Sequence, residues 1–407
     1  MPTCELITIG SELLNGSVLN TNAQFLSRKI SGLCIDVTHQ VTCRDRVPDI
    51  VACLDTAFRR SRLVVVTGGL GPTPDDVTRE AIAQYFGSGL KFDSEQYRHI
   101  VKYFRSLGRG TPPITRREAF LPEIAKPLVN RFGIALGFYI WKHDKLIVVL
   151  PGVPMELKRL YDYSVGPLIK KKLRDRPRNY TLLAKTIGLN EPEIMRKLGR
   201  SFFRGRAFDF GIYPKVGEVA IRLRCADRRL MTQLKREITR ALRPSLYSFS
   251  EESISVVVGK SLVRKRSTIA VAESCTGGLL AKILTDVPGS SRYFLGGIVA
   301  YANKAKIDQL GVLPELLRAK GAVSREVAQA MALGVRLRFH SSLGLSITGI
   351  AGPDGGTRTK PVGLVLIGVS DRAGTRIFSF RFSGDRSHIR RQAVSKAMLI
   401  LWRWFGS

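Results

Sequence analysis

The sequence predicts an α/β protein in which strands alternate with helices around parallel sheets. Short apolar, β-branched runs such as 63–66 (Leu-Val-Val-Val) and 343–347 are too brief for helices and read as buried strands. Each empties into a glycine-rich loop, and a helix-like segment follows the first of them, the order that sets ligand-binding loops at the C-terminal ends of strands. At 407 residues, 44% of them hydrophobic, the chain is long enough for about two to four domains.

Residues 4–9 form the first strand, which ends at Gly10-Ser11-Glu12. Asn20 caps a helix to about Ile30, with Ala23, Leu26 and Ile30 on its apolar side. A strand over 35–41 and a helix from Pro48 to about Arg59 precede the strand 63–66. The loop 67–78 follows, with Gly68, Gly69 and Gly71 ahead of Asp75 and Asp76. Glycines let backbone approach an anion, the next helix N-terminus is positive, and two carboxylates suit a divalent metal against a phosphate. The plainer reading is a Gly-Pro turn with Asp76 as a helix N-cap. The strand 145–150 runs into a second such loop, where Pro154 starts a helix.

Residues 170–180 are charged and broken by Pro177, as a linker is. A small α+β unit spans about 181–246, with a helix over 192–199, an alternating strand at 218–225 and an amphipathic helix over 231–242. Arg222 and Arg224 share one strand face, which reads as solvated. No Gly-x-x-Gly loop of the kind that clamps an RNA backbone is present there. A helix from Glu251 to about Val263 leads to the strand beginning at Ile269. Ser324 caps a further helix, the strand 343–347 opens into a second glycine loop from Thr348, and two β segments (364–369, 376–382) precede a helix closing at Trp404.

The net charge of +32 attracts anions, but arginine and lysine are spread along the whole chain without interleaved aromatics. Specific nucleic-acid binding is not expected. No apolar run approaches the roughly 18 residues of a membrane helix, and the N-terminus lacks the basic region of a signal peptide. The six cysteines form no C-x-x-C pair and the histidines no metal-ligand spacing, so free thiols in the cytoplasm are expected.

The most informative stretch is 269–306. An apolar strand leads into Glu273-Ser274-Cys275-Thr276-Gly277-Gly278, which points backbone N–H groups at a pocket. A turn with Ser290 and Ser291, a strand ending in Tyr301, and then Lys306 follow. Serine, tyrosine and lysine are the working set of a serine hydrolase without histidine. Their plainer reading is two turn serines and a solvated helix lysine.

Two sets of motifs resemble the competence/damage-inducible CinA family. Across roughly 1–170, Ile9-Gly10-x-Glu12-Leu13-Leu14, Asn22, the run 67–78 and Leu150-Pro-Gly-Val-Pro-Met-Glu156 are similar to its molybdopterin-binding-like domain. Across 269–400, Ala-Glu-Ser-Cys-Thr-Gly-Gly, Pro-Gly-Ser-Ser, Tyr-x-Asn-x-x-Lys, Gly-Ala-Val-Ser and Thr-Gly-Ile-Ala-Gly-Pro resemble its C-terminal domain, which also occurs alone as nicotinamide-nucleotide amidohydrolase. The resemblance implies three domains: 1–170, a KH-like 171–250, and 251–407. It implies hydrolysis of nicotinamide mononucleotide to nicotinate mononucleotide and ammonia, with no metal at that site. Ser291 is then the nucleophile and Lys306 the base, with a lysine pKa lowered by desolvation or a nearby cation such as Lys304. Tyr301 relays a proton or positions the amide, and Ser274 and Thr348 orient the lysine or bind substrate. Backbone at Gly349 and Ser291 is the candidate oxyanion hole. Thr276, Gly277, Gly278, Arg386 and Arg390 are candidates for the substrate phosphate. A homodimer is expected.

For the N-terminal half the resemblance implies a metal-dependent ADP-ribose pyrophosphatase. Ser11 stands where the family carries Asp, Glu118 where it carries Gln, and the turn 133–137 departs from its pattern. A lost carboxylate and an added charge near phosphate predict a half that binds a nucleotide but hydrolyses it weakly or not at all. A non-catalytic nucleotide-binding or regulatory protein, linked to competence or DNA damage, is the alternative reading of the whole chain.

Overall fold

The computed structural model describes residues 2–128, 130–175 and 179–405. Pro177, where the linker was expected to break, lies outside the described residues. The class is mixed α/β, and the chain divides into two compact units, Met1–Asn179 and Tyr180–Ser407.

The first unit contains β1 (Thr3–Ile9), β2 (Asp36–Cys43), β3 (Leu63–Thr67), a small antiparallel pair of β4 (Leu90–Phe92) and β5 (Phe120–Pro122), and β6 (Lys126–Leu128), β7 (Gly137–Lys142) and β8 (Lys145–Leu150). The main sheet has the order β2-β1-β3-β8-β7-β6. Its first four strands are parallel, and β7 and β6 return antiparallel. β3 lies between β1 and β8, and all five of its residues are buried. That double coverage is why its sequence is a continuous apolar run and not an alternating one. Asn20 caps helix Thr21–Ser31 through Ala23 N as expected, and Ala23, Leu26 and Ile30 are its buried residues. The parallel register brings the C-terminal ends of β1, β3 and β8 side by side, so Gly10, Gly68 and Pro151 share one rim.

The second unit holds two sheets. β9 (Tyr180–Ile187), β10 (Asp209–Lys215), β11 (Glu218–Cys225) and β12 (Leu246–Ser248) form an antiparallel sheet ordered β10-β11-β9-β12. Its helices are Glu191–Leu198, opened by an Asn190/Glu193 capping box, and Arg228–Leu242, whose Met231, Leu234, Ile238 and Leu242 turn inward. Ile187 and Tyr247 pack into the same core as Val258, Leu262, Ala397 and Leu401, so the two sheets share apolar contacts.

The last sheet comprises β13 (Ile269–Glu273), β14 (Phe294–Val299), β15 (Leu343–Gly349), β16 (Leu364–Asp371) and β17 (Gly374–Arg381), ordered β14-β13-β15-β16-β17. The first three are parallel and the last two antiparallel. β14 ends at Val299, so Tyr301 stands two residues beyond it and not at its end as expected. Helix Arg386–Trp404 closes the chain; Asp385 caps it, and Ala393, Ala397 and Leu401 are buried along it.

Candidate active site

The C-terminal ends of β13 and β15 and the first turn of the closing helix converge on one group of side chains. Lys306, on helix Asn303–Leu310, is only 1% exposed. Its ammonium bends back to donate to the carbonyls of Ala300 (2.8 Å) and Tyr301 (3.0 Å). Burial lowers its pKa, against a smaller opposing effect of Cys275. A lysine with two neutral acceptors and no carboxylate partner is one whose charge is weakly compensated, the environment a lysine base requires. Desolvation supplies the shift and a neighbouring cation does not. Lys304 is 85% exposed at its side chain and paired with Asp308 at 3.0 Å.

The closing helix contributes two arginines one turn apart. Arg386 donates to Tyr301 Oη at 2.6 Å and to Gly352 O at 2.8 Å, tying the tyrosine to the second glycine loop. Arg390 donates to Thr276 O at 2.7 Å. The Thr276 hydroxyl and Arg390 Nε are both buried and lack any hydrogen-bond partner. Buried polar atoms are rarely left so unless a ligand or water serves them. Gly277 and Gly278 take positive φ, and a Cβ on Gly277 would press on the Arg390 guanidinium at 3.2 Å, so glycine is what admits the arginine to this loop.

The expected anion nest at this turn is smaller than the sequence suggests. Glu273, at the end of β13, accepts from Leu280 N (3.1 Å) and Ala281 N (2.8 Å), so the first N–H groups of helix Leu279–Thr285 are already satisfied. The groups at this turn left to meet an anion are the Thr276 hydroxyl and the Arg386 and Arg390 guanidiniums. The sequence reading named Glu273 within its motif but gave it no role; a carboxylate at a strand end shortly before a helix start is the signal that could have assigned one. Cys275 is buried too, and that burial pushes its thiol up to about 11, which keeps it protonated near neutral pH and unsuited as a nucleophile.

Thr348 is fully buried and donates to Ala322 O at 2.9 Å, so it braces the loop before helix Arg325–Arg338 and does not hydrogen-bond Lys306. Ser274 is 9% exposed, beside Cys275, and its N–H donates to Ile347 O. Gly349 ends β15, where its Cα faces Val365 of β16. Ser291 sits on the turn Ser290–Arg292, exposed, ahead of β14. Lys306 comes after β14. At about 3.3 Å per residue the strand holds the two about 15 Å apart, and one chain does not bring them together.

In the first unit, a cleft lined by Thr8, Glu12, Asn20, Asn22, Gly68 and Gly152 lies at the rim of β1, β3 and β8. Asn22 donates to Gly152 O at 2.7 Å, and its own carbonyl oxygen is buried without a partner. Gly68 has φ +109°, and a Cβ there would run into the Ile9 carbonyl oxygen. Asp76 is not the helix cap: its carboxylate accepts from the N–H (2.9 Å) and hydroxyl of Thr73, stapling the loop, while Val77 occupies the cap position. Asp75 is exposed, and the Thr73 hydroxyl holds its carboxyl below the usual range. Among the described residues no three His, Cys, Asp or Glu side chains come together as metal ligands. Asp75 and Asp76 would thus leave a divalent ion to be held mainly by water and phosphate oxygens. Ser11, in place of the family carboxylate, donates to Asp45 through both N–H (2.8 Å) and hydroxyl (2.9 Å). Glu118 is 2% exposed near Arg79, Glu156 and Asp76; burial first, then the two carboxylates, push it up to about 7, against the pull of Arg79. Arg79 is itself fully buried and donates to the Leu70 and Gly71 carbonyls, a role the sequence reading missed.

Residues 251–405 match the family described as "CinA C-terminal domain", and residues 5–171 that described as "Probable molybdopterin binding domain". A protein of Caldicellulosiruptor saccharolyticus, provisionally named competence-damage inducible, is 39% identical over 405 residues, 98% of each chain. Its counterpart in Symbiobacterium thermophilum is 40% identical over 417 residues, again 98% of each. Among solved structures, a competence/damage inducible protein of Agrobacterium tumefaciens is 38% identical and covers 37% of this chain and 94% of its own, with a TM-score of 0.35.

Proposed function

This chain belongs to the CinA family, and from that premise we propose that its second unit hydrolyses the carboxamide of nicotinamide mononucleotide, releasing ammonia and nicotinate mononucleotide. The observation that carries the reading is the burial of Lys306 without a carboxylate partner, with Arg386 and Arg390 reaching the nearby Tyr301 and Thr276. Neutral Lys306 takes the proton of a Ser291 hydroxyl, which within one chain the length of β14 keeps from it, as that oxygen bonds to the amide carbon. The resulting ammonium returns that proton to nitrogen as the C–N bond breaks and ammonia leaves. Water then attacks the acyl carbon as the lysine takes its proton; the lysine passes that proton to Ser291 Oγ as the C–O bond breaks, and the acid product leaves as carboxylate with its proton released to solvent. Arg390 and the unpartnered Thr276 hydroxyl receive the 5′-phosphate, and Arg386 fixes Tyr301 near the amide. No step uses a metal.

In the first unit, the cleft and the unpartnered Asn22 oxygen support nucleotide binding. The chemistry at Ser11 and Glu118 supports little or no cleavage of ADP-ribose; any divalent ion taken up with a phosphate has Asp75 and Asp76 as its protein ligands. The test is a paired assay on one preparation of the full chain, reading ammonia from nicotinamide mononucleotide and AMP from ADP-ribose with magnesium. Ammonia release with little AMP is expected. No ammonia would leave the chain as a nucleotide-binding protein without this chemistry.

A further inference from the structure

Ser291 precedes β14 and Lys306 follows it, and β14 is the edge strand of its sheet, bonded to β13 alone among the described residues. Taking Ser291 as nucleophile and Lys306 as base, on which this step rests, one chain contains two half-sites at opposite ends of an open strand. We propose that two copies of this chain pair antiparallel along β14, so that each Lys306 is served by the partner's Ser291.

The strand itself argues for such a neighbour. An exposed edge is normally guarded by charge or proline, because its free N–H and C=O groups recruit other strands. Residues 293–302 contain neither, in a chain that is 24% charged. Leu295 and Val299 are 41% and 51% exposed there, although both are large and apolar. These are the features of a strand that is covered by another in the working assembly.

Antiparallel self-pairing about a twofold axis is the arrangement that exchanges the two ends of a strand. With the axis between Gly296 and Gly297, Phe294 of one copy faces the partner's Val299. Past the strand ends, that register brings the turn Ser290–Arg292 toward the partner's Ala302. Ala302 is the N-cap of the helix that carries Lys306, and Lys306 Nζ reaches back to the carbonyls of Ala300 and Tyr301. The lysine therefore directs its amine toward the backbone that the incoming serine would face. Parallel pairing would put like ends together and leave each serine as far from a lysine as before. The interface is isologous, so a dimer has two equal sites, each built from both chains.

The experiment uses full-length chains carrying different affinity tags. One bears Ser291→Ala and the other Lys306→Arg; they are co-expressed, and the mixed dimer is isolated by sequential purification. Each variant alone should release almost no ammonia from nicotinamide mononucleotide. The mixed dimer unites both wild-type residues in one of its two sites and should recover about half the wild-type rate. If buried Lys306→Arg does not fold, exposed Tyr301→Phe replaces it, with the same pattern expected at its own residual rate. Leu295→Lys, on the proposed interface, should give a monomer by sedimentation and lose turnover. Two inactive parents with an equally inactive mixed dimer would overturn the shared site while leaving the amidase reading intact. A wild-type chain that turns over as a monomer would do the same. A fully active Ser291→Ala would instead remove the nucleophile assignment, and the shared site with it.

Discussion

Ser291 and Lys306 carry the sharpest expectation at the scale of single residues. Ser291→Ala and Lys306→Arg should each lose on the order of 10⁴-fold in turnover, and the double variant little more, because nucleophile and base act as one unit. Arginine keeps the charge but cannot accept a proton. Since burial lowers the Lys306 pKa, the neutral base grows in as pH rises, giving an acid-side limb below that of a free lysine. A kcat/KM that shows no rise with pH below the range of a free lysine would contradict a lysine base. Glu118 makes a second prediction, about stability. Its folded pKa of about 7 lies above the ordinary carboxyl value. Below the unfolded value both states hold the proton. Between that value and about 7 the unfolded chain ionises while the fold does not, so stability falls with rising pH and levels off above. Glu118→Gln should therefore gain up to about 3 kcal/mol over wild type at pH 8 and nothing near pH 4, read from chemical denaturation of the first unit's transition.

Turns and strand ends decide more at the next scale than the strands themselves. Gly68 joins β3 to its loop at φ +109°, against the Ile9 carbonyl of the neighbouring strand. Gly68→Ala combines a strained backbone with a clash that a rigid sheet cannot relieve, and should cost on the order of 2 kcal/mol or more. Calorimetry should show the first unit melting earlier; an unchanged transition would mean the rim is softer than its packing implies. In the second unit the closing helix does at its first turn what no strand end does alone. Arg386 and Arg390, four residues apart, reach Tyr301, Gly352 and Thr276 from one helical face.

Charge dominates at the scale of the whole molecule. A net +32 will draw nucleic acid, but no aromatic platform accompanies the scattered cations. Binding to duplex DNA should be measurable near about 50 mM salt, fall roughly 10³-fold or more by about 200 mM, and show no sequence preference. Anisotropy titrations with unrelated duplexes at both salts test this, and one duplex held selectively at the higher salt would defeat it. Among the described residues no helix is long and apolar enough to cross a membrane, and all six cysteines are free.

Local periodicity and motif order were enough, from sequence alone, for the α/β class, the glycine loops after β3, β13 and β15, the Asn20 and Ser324 caps and the family. Those features depend on neighbours along the chain, where side-chain alternation and capping chemistry act. The partner of a side chain across the fold is a matter of sheet order and helix docking, which adjacent residues do not encode. Only the tertiary structure shows that Asp76 staples Thr73, that Glu273 fills the helix start meant for an anion, and that Arg79 and Glu118 are buried together. The same reason explains the separation of Ser291 from Lys306. Fifteen positions in sequence look close, but a strand between two residues is a rigid rod that holds them apart.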